Sequence, residues 1–308
     1  MSVPTSNHFS RRDFLAAALV TGSAAAVAPL KLLAAPAKAL PPVAIFSKVY
    51  QELKLNFADA AAVTAEAGLD GIDCPARPGG EVLPERAAED LPRYAAALAK
   101  HRRKILLLTT AIVSVDTPHA ETVLRAAAKL GVKHYRLGYW QYRRDQPAPA
   151  QLDEIKAQLK DLAALNKQLG LCGVLQNHTG KDMVGAKVRD YWEIVRGFDP
   201  AQIAVAFDLG HAMKELGADW RGAFDTLRSH FAVSYVKDWK RGPGFVAFGE
   251  GDFAQSAFFR QLRGMNYRAP FSLHIEYKWE GQEPRSRAGL VKAMKSDFAM
   301  LKRWWNES

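Results

Sequence analysis

LCGVLQNHTG, residues 171–180, is the stretch on which the fold turns. Leu171 to Leu175 form a short apolar run that ends abruptly in Gln176, Asn177 and His178. A buried strand that delivers hydrogen-bonding side chains at its carboxyl end is how a barrel places chemistry at its mouth. The amide at 176 stands where an acid–base site would be expected to carry a carboxylate.

Working outward, the same kind of run occurs seven more times. Strands are predicted over 43–47, 71–74, 105–109, 134–137, 203–208, 232–237 and 271–276, besides 171–176. Each is followed by an amphipathic, Ala- and Leu-rich segment. Those segments are 57–67, 91–100, 120–130, 151–169, 188–195, 220–230, 253–262 and 287–304. Gly68, Gly131, Gly170 and Gly264 stand just past helix ends, where a left-handed residue stops a helix. Strands alternating with helices imply parallel pairing through helical crossovers. An open doubly wound sheet is disfavoured, because no Gly-rich fingerprint follows the first strand. Eight units in this length predict a single α/β domain, a (β/α)8 TIM barrel over 40–308.

The first 39 residues read as an address. Ser10-Arg11-Arg12-Asp13-Phe14-Leu15 has the twin-arginine pattern, an uncharged Ala-rich stretch runs to Leu30, and Ala37-Lys38-Ala39 supplies a small-x-small cleavage site. The stretch is short and broken by Gly22, Ser23 and Pro29, which argues against a membrane span. The expectation is export by the twin-arginine machinery to the periplasm, with no membrane attachment after cleavage. The net charge of +10 is spread in short clusters such as His101-Arg102-Arg103-Lys104, without the basic face that a nucleic-acid footprint requires. Cys74 and Cys172, the two cysteines, fall in strands far apart around the barrel, so no disulfide is expected despite the oxidising compartment.

In a barrel, function gathers at the carboxyl ends of the strands. Of eight histidines, His178, His211 and His274 fall there. Ala204 to His211 carries an apolar strand into Asp208, turns through Gly210 and presents His211 three residues on. Such a carboxylate can bind a cation, orient a base, or simply cap the next helix. In Phe271 to Glu276, period-two alternation sets Ser272, His274 and Glu276 on one face. An acid ending an apolar strand is costly unless it is paired or metal-bound. Tyr235 and Lys237 share a face in the same way, with Asp238 suited to holding a loop. Arg77, Arg136, Asn177 and Trp239 are candidate substrate contacts at or near strand ends, and Trp140 is a second stacking candidate.

In this order, Phe207-Asp208-Leu209-Gly210-His211, Val236-Lys237-Asp238, Gly249-Glu250-Gly251-Asp252-Phe253 and His274-Ile275-Glu276 resemble the xylose-isomerase-like barrel superfamily of sugar (phosphate) isomerases and epimerases. The resemblance covers residues 43 to about 305. It implies one divalent metal held by a glutamate, an aspartate, a histidine and a second glutamate, the two glutamates also serving as the acid–base pair. Carried over, the aspartate is Asp208, the last glutamate Glu276, and the substrate-positioning histidine His211. Gln176 stands at the first glutamate and Tyr235 at the metal histidine, which points to an exported subfamily with a Gln-Asn-His signature. The expected metal ligands are therefore Gln176, Asp208 and Glu276.

These departures change the chemistry. An amide takes up no proton near neutral pH, and a phenol with a reference pKa of about 10 is a poor ligand. The oxygen-rich remainder suits Mn2+, Mg2+ or Ca2+, or no metal with Lys237 supplying the positive charge. Glu276 then abstracts a proton alpha to the carbonyl of a keto-sugar, and His178 or His211 returns it. Isomerisation, epimerisation and keto-glycoside elimination all remain open. So does a non-catalytic periplasmic sugar-binding barrel. An abasic-site endonuclease is disfavoured, because the rim has too few ligands for several metals.

Overall fold

The computed structural model describes residues 39–252, 255–279 and 286–307. All of the leader but Ala39, and the first two residues of the helix expected at 253–262, lie outside these. Eight parallel strands close in sequence order into a barrel. They are β1 (Val43–Phe46), β2 (Gly71–Pro75), β3 (Lys104–Thr109), β4 (His134–Arg136), β5 (Cys172–Gln176), β6 (Ile203–Asp208), β7 (Phe231–Val236) and β10 (Phe271–Leu273). The intervening β8 (Asp238–Lys240) and β9 (Gly244–Val246) pair as an antiparallel hairpin beyond the rim. The barrel closes where Val43 pairs with Phe271. Strands covered on both faces lose the alternation of a half-exposed sheet, which is why β5 and β6 read as continuous apolar runs.

The outer layer is α2 (Phe57–Glu66), α3 (Ala87–Ala99), α4 (Ala120–Lys129), α5 (Ala148–Leu169), α6 (Val188–Val195), α8 (Trp220–Leu227), α9 (Ser256–Gly264) and α10 (Arg287–Asn306), with short α1 (Lys48–Glu52) and α7 (Leu209–Leu216) at the rim. One apolar core fills the space between helices and sheet. A smaller cluster, including Leu107, Val174, Ala204, Ala206 and Val233, plugs the barrel interior. Above the plug the interior turns polar. Asp73 on β2 accepts from Thr109 on β3 at 2.9 Å and from Ser272 on β10 at 2.7 Å, tying three strands across the axis.

The expected helices are present, with differences that include the short α1 (Lys48–Glu52), which was not anticipated. The helix expected from Leu91 begins at Ala87, after a turn at Pro84–Arg86. The rim helix α7 was not anticipated, because Gly210 inside it reads as a turn. Asp208 starts it by accepting from the backbone N–H of His211 at 3.1 Å. Cys74 and Cys172 are both buried and free.

Candidate active site

At the carboxyl end of the barrel lies a cavity of about 120 Å3 lined by Phe46, Lys48, Arg77, Thr109, Arg136, Tyr139, Gln176, His178, Lys237, His274 and Glu276. Its centre is the Lys237 ammonium. Nζ donates to Asp208 Oδ2 at 2.9 Å and to His211 Nε2 at 2.8 Å, and lies 3.2 Å from Glu276 Oε2. Asp208 and His211 take two of its donors and Glu276 is an ion-pair partner, so the charge is compensated although Lys237 is only 2% exposed. Gly210 makes room for it, since a Cβ there would stand 2.5 Å from the Cβ of Lys237. Burial alone would lower the Lys237 pKa, but the charges of Asp208 and Glu276 outweigh it and hold the pKa above its ordinary value. Burial would likewise raise Asp208, and Lys237 reverses that shift.

Gln176 explains its own amide. Asp208 can only accept, so the Gln176 Nε2 faces Oδ2 at 2.7 Å, and the Gln176 Oε1 accepts from Tyr139 at 2.6 Å. A carboxylate at 176 would oppose a second carboxylate at that distance.

Glu276 is clamped on both oxygens, with Lys48 on Oε1 at 2.9 Å and Lys237 on Oε2 at 3.2 Å. Burial works against its charge, but His274 and the two lysines hold its pKa far below the carboxylate range. An acid so stabilised is a poor base, which weighs against the expected part of Glu276 as the proton acceptor. His178 differs. Its Nδ1 donates to the carbonyl of Thr179 at 2.7 Å, which leaves Nε2 as the ring's acceptor. Burial, the larger influence, holds its pKa below the usual histidine value, so the ring is neutral.

Several expected residues play other parts. His211 stands behind Lys237 rather than on the cavity wall. Its Nε2 accepts from the ammonium, so Nδ1 carries the hydrogen toward Thr179 Oγ1 at 3.3 Å, and burial pushes its pKa down to about 3. It does not line the cavity there. Asn177 is spent on Asp208, donating to its carbonyl at 2.9 Å and accepting from its N–H at 2.7 Å. Trp239 belongs to the hairpin and does not line the cavity, and Trp140 donates to Gln158 on α5 at 3.1 Å. Asp238 holds the 249–251 loop through the N–H groups of Gly249 and Gly251 at 2.8 and 3.1 Å.

Arg77 and Arg136 do line the cavity, as expected. Lys48 and Tyr139 were missed as site residues. Lys48 was visible only as a residue following a strand end, and Tyr139 lies three residues past one.

A divalent ion does not suit this donor set. Gln176 turns an N–H toward Asp208, burial holds the Tyr235 phenol neutral well above its usual pKa, and Lys237 lies between the two carboxylates. Among the described residues no group of three or more His, Cys, Asp or Glu side chains is arranged to hold a metal ion.

Residues 61–303 match the family described as xylose isomerase-like TIM barrel. The chain belongs to that family. Similar solved structures include 3-keto-D-glucoside 4-epimerase from E. coli, at 14% identity and TM-score 0.64, covering 82% of this chain and 99% of that one. A putative xylose isomerase from Rhodospirillum rubrum has 15% identity and TM-score 0.66, covering 84% and 99%. The IolI protein, with a bound zinc atom, has 12% identity and TM-score 0.65, covering 86% and 98%. At such identities the likeness shows the fold alone. No curated protein sequence matches the chain.

Proposed function

We propose that this family member is a carbohydrate enzyme that moves a proton alpha to the carbonyl of a keto-sugar, as an isomerase, epimerase or lyase does. The observation that carries this reading is the Lys237 ammonium on the cavity wall, hydrogen-bonded to Asp208 and His211 and paired with Glu276. It is a fixed positive centre in a water-poor site, which is what a developing enolate needs. Lys48 adds a second charge at the mouth. His178, whose Nε2 is its available acceptor, takes and returns the proton. Glu276 and Asp208 position Lys237. The carbohydrate enzymes among the structural neighbours are consistent with this class of substrate.

The reading assigns the cation's role to Lys237 rather than to Mn2+, Mg2+ or Ca2+. It is tested by incubating metal-stripped protein with keto-sugars in D2O and following loss of the alpha-proton signal by NMR. Exchange that persists in excess chelator is the expected result. Exchange that appears only on adding one of those ions overturns the lysine-centred mechanism. A sugar that binds without exchange assigns the barrel to binding alone.

The same proposal places the protein in the periplasm, exported by the twin-arginine machinery through Arg11 and Arg12. Replacing both with lysine should leave the chain in the cytoplasmic fraction. Among the described residues no helix is long and apolar enough to cross a membrane. The expected partner is a small carbohydrate, not nucleic acid.

A further inference from the structure

The cavity is not electrically balanced. Lys48, Arg77, Arg136 and Lys237 face it, against Glu276 on its wall, Asp208 behind Lys237 and Asp73 below. The two lysines are paired with acids within 3.2 Å. Among the described residues neither arginine has a carboxylate within salt-bridge distance. Arg136 is 3% exposed, spends one nitrogen on the carbonyl of Thr110 at 3.0 Å, and leaves its other terminal nitrogen, Nη1, buried without a partner. A buried cation costs several kcal/mol unless an anion compensates it, and a second guanidinium nearby makes that worse.

Both guanidiniums also lie against aromatic rings. Arg136 lies 4.3 Å above the Tyr139 ring, and Arg77 lies 5.9 Å from the Phe46 ring. A guanidinium against a ring face keeps its N–H edge for other partners, and such forks take up carboxylate or phosphate oxygens in pairs. The turn that carries Arg77 is tight. Gly80 donates back to the Arg77 carbonyl at 2.8 Å, and a Cβ at Gly80 would sit 2.2 Å from the carbonyl oxygen of Pro75.

We propose that the substrate bears an anionic oxygen group, a carboxylate or a phosphate, and that Arg77 and Arg136 bind it. This rests on the reading of the cavity as a keto-sugar site and narrows that reading to a sugar acid or sugar phosphate. The arginines contact the group that stays unchanged, while Lys237 and His178, which line the same cavity, act at the reacting carbons.

Three keto-hexoses that differ in one group make the test: D-fructose, D-fructuronate and D-fructose 6-phosphate, titrated calorimetrically into the full chain at low ionic strength. One of the charged sugars should bind at least about tenfold more tightly than D-fructose. Which one binds tells carboxylate from phosphate. Arg136→Gln and Arg77→Gln should each erase the preference. Where Arg136→Gln fails to fold for want of its Thr110 contact, the half-buried Arg77 carries the test, with Arg77→Lys keeping part of the affinity. Neither charged sugar binding, equal binding of D-fructose, or a preference that survives both substitutions would overturn the proposal. Deuterium exchange measured on the same samples separates the two ideas. Exchange on D-fructose with no charge preference leaves the proton-transfer reading standing and ends this one. Tight charged binding without exchange does the reverse.

Discussion

Asp208 at the rim and Asp297 under the hairpin loop are both fully buried, and each accepts two hydrogen bonds from uncharged donors. Asp208 takes them from the His211 N–H and Gln176, at 3.1 and 2.7 Å. Asp297 takes them from the Phe248 N–H and Tyr277, at 3.0 and 2.7 Å. Yet Asp208 is held below the ordinary carboxylate range, while burial pushes Asp297 up to about 7. The difference is one ammonium. Asp208 has Lys237 at 2.9 Å, whereas the charges near Asp297 are those of Asp238 and Glu250, of its own sign. Burial with neutral donors leaves a carboxyl group protonated, and a single cation turns it into a charged, preorganised centre. The fold supplies the burial in both places. Only at the rim does it supply the charge.

Removing that charge breaks the comparison most directly. Lys237→Met leaves Asp208 and Glu276 without their shared partner, and it should cost about 3–5 kcal/mol of stability, read by urea unfolding, as well as abolishing exchange. Adding Asp208→Asn should recover part of that loss, because the double variant no longer buries an unpaired anion. A Lys237→Met protein within about 1 kcal/mol of the parent would mean that the buried centre is not what holds Asp208 charged.

The two rim groups that sequence reasoning gave complementary parts in the proton transfer, Glu276 and His178, separate next. His178→Gln should reduce the deuterium-exchange rate by roughly 10²–10⁴-fold, the usual worth of a positioned base. Glu276→Gln should cost less, and its loss should accompany weaker packing of Lys48 and Lys237. Equal losses with unchanged stability would return the base to Glu276.

Why Glu276 reads as the base in the sequence is a matter of range. Strand ends were legible because side-chain direction alternates along a strand: Ser272, His274 and Glu276 do share the inner face, linked by a 3.1 Å hydrogen bond from His274 Nε2 to Ser272 Oγ and a 3.7 Å approach of His274 Nδ1 to Glu276 Oε1. Placement of Arg136 and Lys237 at the rim followed from the same rule. Nothing in the local pattern shows that Lys48, which opens a rim helix after the first strand, reaches Glu276 across the barrel closure, where it adds to the larger effects of His274 and Lys237 on the Glu276 charge. Asn177 illustrates the same limit. A polar side chain at a strand end looks the same whether it faces substrate or, as here, clamps the backbone of the next strand.

The second half of the comparison gives a pH profile. With its folded pKa raised to about 7 against an unfolded value near 3.9, Asp297 binds a proton in the folded state that the unfolded chain has released. Its contribution is complete below about pH 4, falls as pH rises toward about 7 and is lost above that, by roughly 4 kcal/mol. Asp208 has the opposite sign: its stabilisation is present above the unfolded value and disappears as pH falls below it. Asp297→Asn should therefore flatten the slope of unfolding free energy between pH 4 and 7 while leaving the acid limb intact. An unchanged slope would show that Asp297 is ionised in the folded protein.

The smallest effect bears on the amide at 176. Gln176→Glu sets a carboxyl group 2.7 Å from Asp208 Oδ2, and two carboxylates at that distance cannot both ionise. The pair should then share a proton, so that the variant keeps its hydrogen bond at pH 5 and loses roughly 1–2 kcal/mol at pH 8, where the proton is drawn off. A divalent cation gains an oxygen ligand in the variant that the parent lacks, so Mn2+ should raise the melting temperature of Gln176→Glu by a few degrees and leave the parent unmoved. If the parent responds to Mn2+ as strongly as the variant, the amide is not what keeps metal out, and Lys237 yields its place to the ion. If neither responds and the variant is as stable at pH 8 as at pH 5, the charge of Lys237 alone compensates both acids, and the amide serves only to hold Tyr139.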